Sequence, residues 1–156
     1  MRALEQRFPQ VAQQFEPKHL GLILWAYATL QLPAGDALRE LAPRVEALAH
    51  AFRGLSVFQA MWAYGELRVM PEESVDRAWA ALERRALALV ALASEKDGGF
   101  EARHLSLLLR AFANLARTLD ENLLHGIHER LRASAGSLSA GVLCDVMGTL
   151  ASSDTP

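Results

Sequence analysis

Apolar residues recur along most of the chain at steps of three and four, the spacing that lays one stripe along a helix. Leu20, Ile23, Leu24, Tyr27 and Leu30 form one such run, and Leu38, Leu41, Val45 and Leu48 form the next. Val75, Ala78, Trp79 and Leu82 continue the pattern, as do Leu123, Leu124, Ile127 and Leu131. No stretch shows the period of two that a half-buried strand needs. Between runs stand helix-start signals, where proline or a capping side chain precedes acids: Pro33-Ala34-Gly35-Asp36, Pro71-Glu72-Glu73-Ser74 and Thr118-Leu119-Asp120-Glu121. The pattern predicts an all-α chain of hairpins, each a helix A followed by a helix B.

The hairpins repeat. Phe15, Leu20, Trp25-Ala26-Tyr27-Ala28 and Leu30 share a frame with Phe52, Val57, Trp62-Ala63-Tyr64-Gly65 and Leu67. Phe100, Leu105, Arg110-Ala111-Phe112-Ala113 and Leu115 give a third copy, and Leu138, Leu143 and Leu150 a weaker fourth. The intervals between the starts Phe15, Phe52, Phe100 and Leu138 are unequal, the second being the longest. Expected units are therefore 15–51, 52–99 with a longer linker near Ala93 to Gly99, 100–137, and a partial one at 138–156; residues 1–14 read as the end of a preceding helix. Small residues beside each aromatic let neighbouring helices approach closely around the ring. Because one hairpin cannot cover an apolar face on each side, the units are expected to stack into an α-solenoid with a period of roughly 38 residues.

The frame Phe-x4-Leu-x4-Trp-Ala-Tyr-Ala-x-Leu resembles the octotricopeptide repeat, and is similar to the helical-hairpin repeats of FAST kinase-like and RAP-domain proteins. The resemblance covers residues 15 to 150. It implies a noncatalytic, RNA-associated protein of an organelle, the mitochondrion or alternatively the plastid. The fitting particle is a mitochondrial ribosome, with ribosomal RNA and neighbouring proteins as partners. A free RNA-maturation factor and a protein–protein scaffold without RNA are the alternatives. No counterpart of the family's RAP domain is seen, so no nuclease role is expected.

Composition narrows the field without choosing within it. The chain has 156 residues, 51% hydrophobic and 22% charged, which suits a folded domain rather than a disordered chain. Sixteen Lys and Arg against 18 Asp and Glu give a net charge of -2, so contact with RNA has to be local. One cysteine, Cys144, makes no internal disulfide. The longest apolar stretches, Leu20 to Leu32 and Ala86 to Ala93, are too short for a bilayer, and neither a membrane nor DNA is an expected partner. The first residues, Met1 to Arg7, lack an apolar signal core, and Glu5 suits a transit peptide poorly.

Positions three, seven, ten and fourteen after each opening residue lie along one side of helix A. They are Lys18, Leu22, Trp25 and Thr29; then Leu55, Gln59, Trp62 and Glu66; then Arg103, Leu107, Arg110 and Asn114. A stripe that varies on a constant scaffold is where partner choice can reside. Lys18, His19, Arg103, His104, Arg110 and Asn114 are the candidate RNA contacts, arginine offering both a fork to phosphate and a plane to a base. Trp25 and Trp62, constant in register, are expected to serve packing. Arg77, Arg84, Arg85, Arg130 and Arg132 lie among Asp76, Glu83 and Glu129, the pattern of a paired, solvated face.

Other chemistry is weak. Glu121, His125 and His128 share a helix face, yet no fourth ligand accompanies them, and they are read as exposed groups. Cys144 sits among Val142, Leu143, Val146 and Met147 as a buried or partner-facing hydrophobe. Gly98-Gly99 reads as a linker rather than a phosphate loop. No catalytic residue, metal or cofactor is expected.

Overall fold

The computed structural model describes residues 11–33, 35–92 and 96–153. Among these, seven α-helices follow one another and no strand occurs. They are α1 (Pro17–Thr29), α2 (Gly35–Leu48), α3 (Gly54–Glu66), α4 (Glu73–Val90), α5 (Ala102–Asn114), α6 (Glu121–Ser134) and α7 (Ala140–Ser153). Pro17 opens α1 at a position whose missing N–H costs no helix bond. The Asp120 carboxylate caps α6 by accepting the N–H groups of Asn122 and Leu123. Before α1, Ala12–Gln14 form a single 3-10 turn, and most of the expected preceding helix lies outside the described residues.

Helices of one parity pack together. α1 lies against α3, α3 against α5 and α5 against α7, while α2 lies against α4 and α4 against α6. Two helical layers result, with the core between them. The ring two residues beyond the tenth stripe position points into that core: Tyr27, Tyr64 and Phe112 are all buried. Trp79 of α4 meets Phe112 edge-on at 4.9 Å, with the Arg117 guanidinium 5.2 Å from the Trp79 ring centre.

Within the odd layer the small residues set the spacing. A Cβ built on Gly65 would lie 2.6 Å from the Ala111 Cα, so α3 and α5 touch backbone to backbone there. Further along the same pair, the Phe58 and His104 rings stack at 4.6 Å and 14°. Both contacts join like ends of the two helices, which therefore run parallel.

The first three odd helices end in the same turn. The N–H groups of Leu30, Leu67 and Leu115 return to Ala26, Ala63 and Ala111, and those of Leu32, Val69 and Arg117 return to Tyr27, Tyr64 and Phe112. This double closure requires a left-handed residue between them. That residue is Gln31, Arg68 or Ala116, with φ of 49°, 45° and 50°. None is glycine. The three turns recur in step with the aromatic frames whose carbonyls they use.

Two substitutions test this account. Gly65→Ala should cost roughly 1–3 kcal/mol, because the α3–α5 contact has no room for a methyl group. Ala116→Gly should raise stability by up to about 1 kcal/mol by relieving a left-handed alanine. Urea unfolding followed by circular dichroism reads both; a neutral Gly65→Ala would overturn the close approach.

Candidate functional site

The outer face of the odd layer carries part of the stripe, while Gln59 of the same stripe is buried against α1. Trp25, Trp62 and Arg110 occupy one register position on α1, α3 and α5, ten residues after the opening phenylalanines. Trp25 is 40% exposed, Trp62 half-buried and Arg110 exposed. Constant register predicts packing for both tryptophans, yet only Trp62 rests against the core, at its margin. Tyr27 and Tyr64, two residues further on, point about 200° away and fill the interior instead. Trp62 is partly covered by Phe58, their ring centres 6.3 Å apart, and its indole N–H has no partner among the described residues.

The expected contact residues divide. Lys18 and Arg103 are exposed at the beginnings of α1 and α5, and Arg110 stands near the end of α5. Each has a carboxylate beside it: Lys18 with Glu16 at 3.0 Å, Arg103 with Glu101 at 2.6 Å and Arg110 with Glu66 at 2.7 Å. Lys18 holds the Glu16 carboxyl below its ordinary range. His19 is half-buried, and its Nδ1 accepts the Glu16 N–H at 3.2 Å, so that nitrogen is occupied in starting α1. Asn114 is half-buried at the last position of α5.

His104 corrects the expectation. Its side chain is 3% exposed and lies flat on Phe58 between α3 and α5, away from the outer face. It follows Arg103 by one residue, a step of about 100° that turns it towards the neighbouring helix. Its Nδ1 has no partner among the described residues. Burial disfavours the imidazolium and lowers its pKa, opposed by Glu101 and assisted by Arg103.

Two cations outside the expected set, Arg53 and Lys96, stand at the edge where α1 and α3 begin. Arg53 precedes α3 and donates to the Lys96 carbonyl at 3.0 Å. Gly98 and Gly99, expected as a linker, are buried in a turn against α3, and the Gly54 N–H bonds to the Gly98 carbonyl at 2.7 Å. The longer second unit was the available signal that this segment adds structure.

On the even layer the basic residues are largely engaged. Arg77 reaches Glu46 at 3.1 Å and Glu73 at 2.7 Å, Arg132 reaches Glu129 at 3.1 Å, and Arg85 donates to the Phe52 carbonyl at 2.8 Å. Arg84 is exposed. Glu83 lies partly buried, and burial raises its pKa. No group of three metal-ligating side chains occurs among the described residues. His125 is exposed and His128 half-buried. Cys144 is exposed, together with Leu143 and Met147 on α7; the side chains of Val146 and Leu150 lie outside the described residues. No described helix is long and apolar enough to cross a membrane.

No protein family, curated protein or solved structure matches this chain.

The buried His104 gives a pH dependence with a definite sign. Its folded-state pKa lies below the unfolded value of ~6.5, so the unfolded chain takes up the proton first. Stability should be level above about pH 7 and decline as pH falls below ~6.5, by at most about 1.4 kcal/mol per pH unit. His104→Gln should be less stable at neutral pH, and its deficit should shrink towards pH ~5.5. A pH-independent difference between the two proteins would show that His104 is not the group responsible.

Proposed function

We propose that the chain is a noncatalytic, RNA-associated α-solenoid of stacked helical hairpins with a period of roughly 38 residues. The alternating layers and the three matching left-handed turns support the stacked architecture. The observation that carries the RNA reading is the row Trp25, Trp62 and Arg110, three planar side chains in one register on adjacent helices. Trp25 and Arg110 are exposed and each offers a face on which a base can stack, Trp62 lies half-buried between them, and stacking of this kind accepts any base. Lys18 and Arg103 lie on the same layer and supply charge for phosphates.

Parallel packing adds to this. The N-terminal ends of helices carry partial positive charge, and α1 and α3 bring theirs to one edge. A strand with bases over the row and phosphates towards that edge meets both features. By the repeat resemblance, we place the protein in a mitochondrial ribonucleoprotein, the ribosome first, contacting ribosomal RNA and neighbouring proteins.

A second reading has an observation of its own. Leu22 is 52% exposed, Leu55 38% and Trp25 40% on the same layer, and the three stripe cations each face an acid. An apolar strip with neutralised borders also suits an amphipathic partner helix, without RNA.

Fluorescence anisotropy with a labelled single-stranded RNA separates the two. Trp25→Ala should weaken binding by about 1–3 kcal/mol, the loss of one stacked base. The pair Arg103→Glu and Arg110→Glu should weaken it further and flatten its dependence on salt. An affinity unmoved by all three changes, with circular dichroism unaltered, would remove the RNA reading and leave the scaffold.

A further inference from the structure

Where α1 and α3 begin, the turn leading to α5 borders an open cleft of about 380 Å³. Lys18 forms one wall, Arg53 and Ser56 a second, and Lys96 with Gly99 a third. No carboxylate is among its described lining residues, although the protein as a whole carries a net charge of -2.

The start of α3 faces this space with unused donors. Its N-cap, Arg53, makes no side-chain capping bond. The Gly54 N–H goes to Gly98 and the Val57 N–H to Arg53, which leaves the Leu55 and Ser56 amides as the orphan donors of the first turn. Ser56 is 8% exposed and lines the cleft, and its hydroxyl has no partner among the described residues. The hydroxyl of this nine-tenths buried serine and two amides without acceptors, beside Arg53, Lys96 and the Glu16-paired Lys18, form a set that an acceptor-rich anion completes.

The wall is built rather than incidental. Arg53 and Gly54 hold the turn through the Lys96 and Gly98 carbonyls. A Cβ on Gly54 would collide with the Gly99 carbonyl, so glycine is what lets the turn close against α3. This turn belongs to the second unit, from Phe52 to Phe100, which is longer than the units before and after it. The additional segment thus brings Lys96 to the beginning of α3.

We propose that this cleft is a phosphate site. A tetrahedral group can take the two amides and the Ser56 hydroxyl on one side and Lys18, Arg53 and Lys96 on the others, whereas a planar carboxylate presents only two oxygens. The volume exceeds that of one phosphate and leaves room for an adjoining sugar. On the RNA reading given above, on which this assignment of the source rests, the occupant is a phosphodiester of the strand whose bases lie on the Trp25 row. Free phosphate shares the chemistry.

The test uses the full chain, inorganic phosphate and a labelled oligouridine RNA of roughly 12 nucleotides. Phosphate at about 10 mM should raise the melting temperature over chloride of equal ionic strength, and Lys96→Glu and Ser56→Ala should each abolish the rise. Lys96→Glu should also weaken RNA binding by about fivefold or more. If phosphate stabilises only the wild type and no RNA binds, the site stands and its RNA source falls. If RNA binds and both variants keep wild-type phosphate stabilisation and affinity, the site is overturned while the RNA reading survives. A wild type indifferent to phosphate, with RNA affinity unchanged by Lys96→Glu, overturns it as well.

Discussion

The closeness of α3 and α5 at Gly65 and Ala111 is the constraint from which the odd layer follows. Two parallel helices in backbone contact align dipoles of the same sense, an unfavourable arrangement in isolation. It is sustained by what the contact buries. Tyr64 and Phe112 are enclosed, and Val57, Met61, Leu105 and Leu108 are wholly or almost wholly buried. At about 25 cal/mol per Å² of apolar surface, even one such ring outweighs the interaction of two helix ends screened by water. The consequence is an edge at which helix N-termini gather, and the proposed phosphate site draws on it.

The turns show a related balance. A non-glycine residue in the left-handed region costs on the order of 1 kcal/mol, and the chain accepts this at Gln31, Arg68 and Ala116. In each case the turn returns an N–H to the carbonyl of the buried aromatic. Satisfying a carbonyl at the end of a buried helix is worth a comparable amount, because its alternative partner, water, has limited access there. Arg117 shows what such a turn can also position: its guanidinium lies over Trp79 and pairs with Asp76, joining the odd-to-even connection to α4.

Much of the helical pattern was legible because it depends on local spacing. The runs from Leu20 and Val75 fall on α1 and α4, and the breakers at Pro33, Pro71 and Thr118 precede α2, α4 and α6. The constant aromatics were harder to place. Two positions apart in a helix, Trp25 and Tyr27 repeat equally well, so repetition alone does not say which ring is core; the neighbouring helix decides. His104 was misplaced for the same reason, since its burial comes from Phe58 on another helix. Arg53, Ser56 and Lys96 were illegible as a group because only the packed turn at Gly98 and Gly99 unites them.

The charge balance then acquires a spatial meaning. Along the outer face Arg103 and Arg110 are exposed and paired, and pairs of this kind contribute roughly 0–1 kcal/mol, so exchanging their carboxylate for a phosphate gains little. On the RNA reading, Glu101 and Glu66 would remain behind and repel an incoming strand. The cleft at α3 differs in its donors rather than in all its cations, since Lys18 pairs with Glu16 while the Leu55 and Ser56 amides have no acceptor among the described residues. On the proposed reading, a polyanion crossing this face would be held best where one of its phosphates reaches Ser56 and Lys96. On the proposed RNA reading, overall acidity would suppress indiscriminate adsorption, while the proposed phosphate site would fix the register in which a strand lies against Trp25 and Trp62.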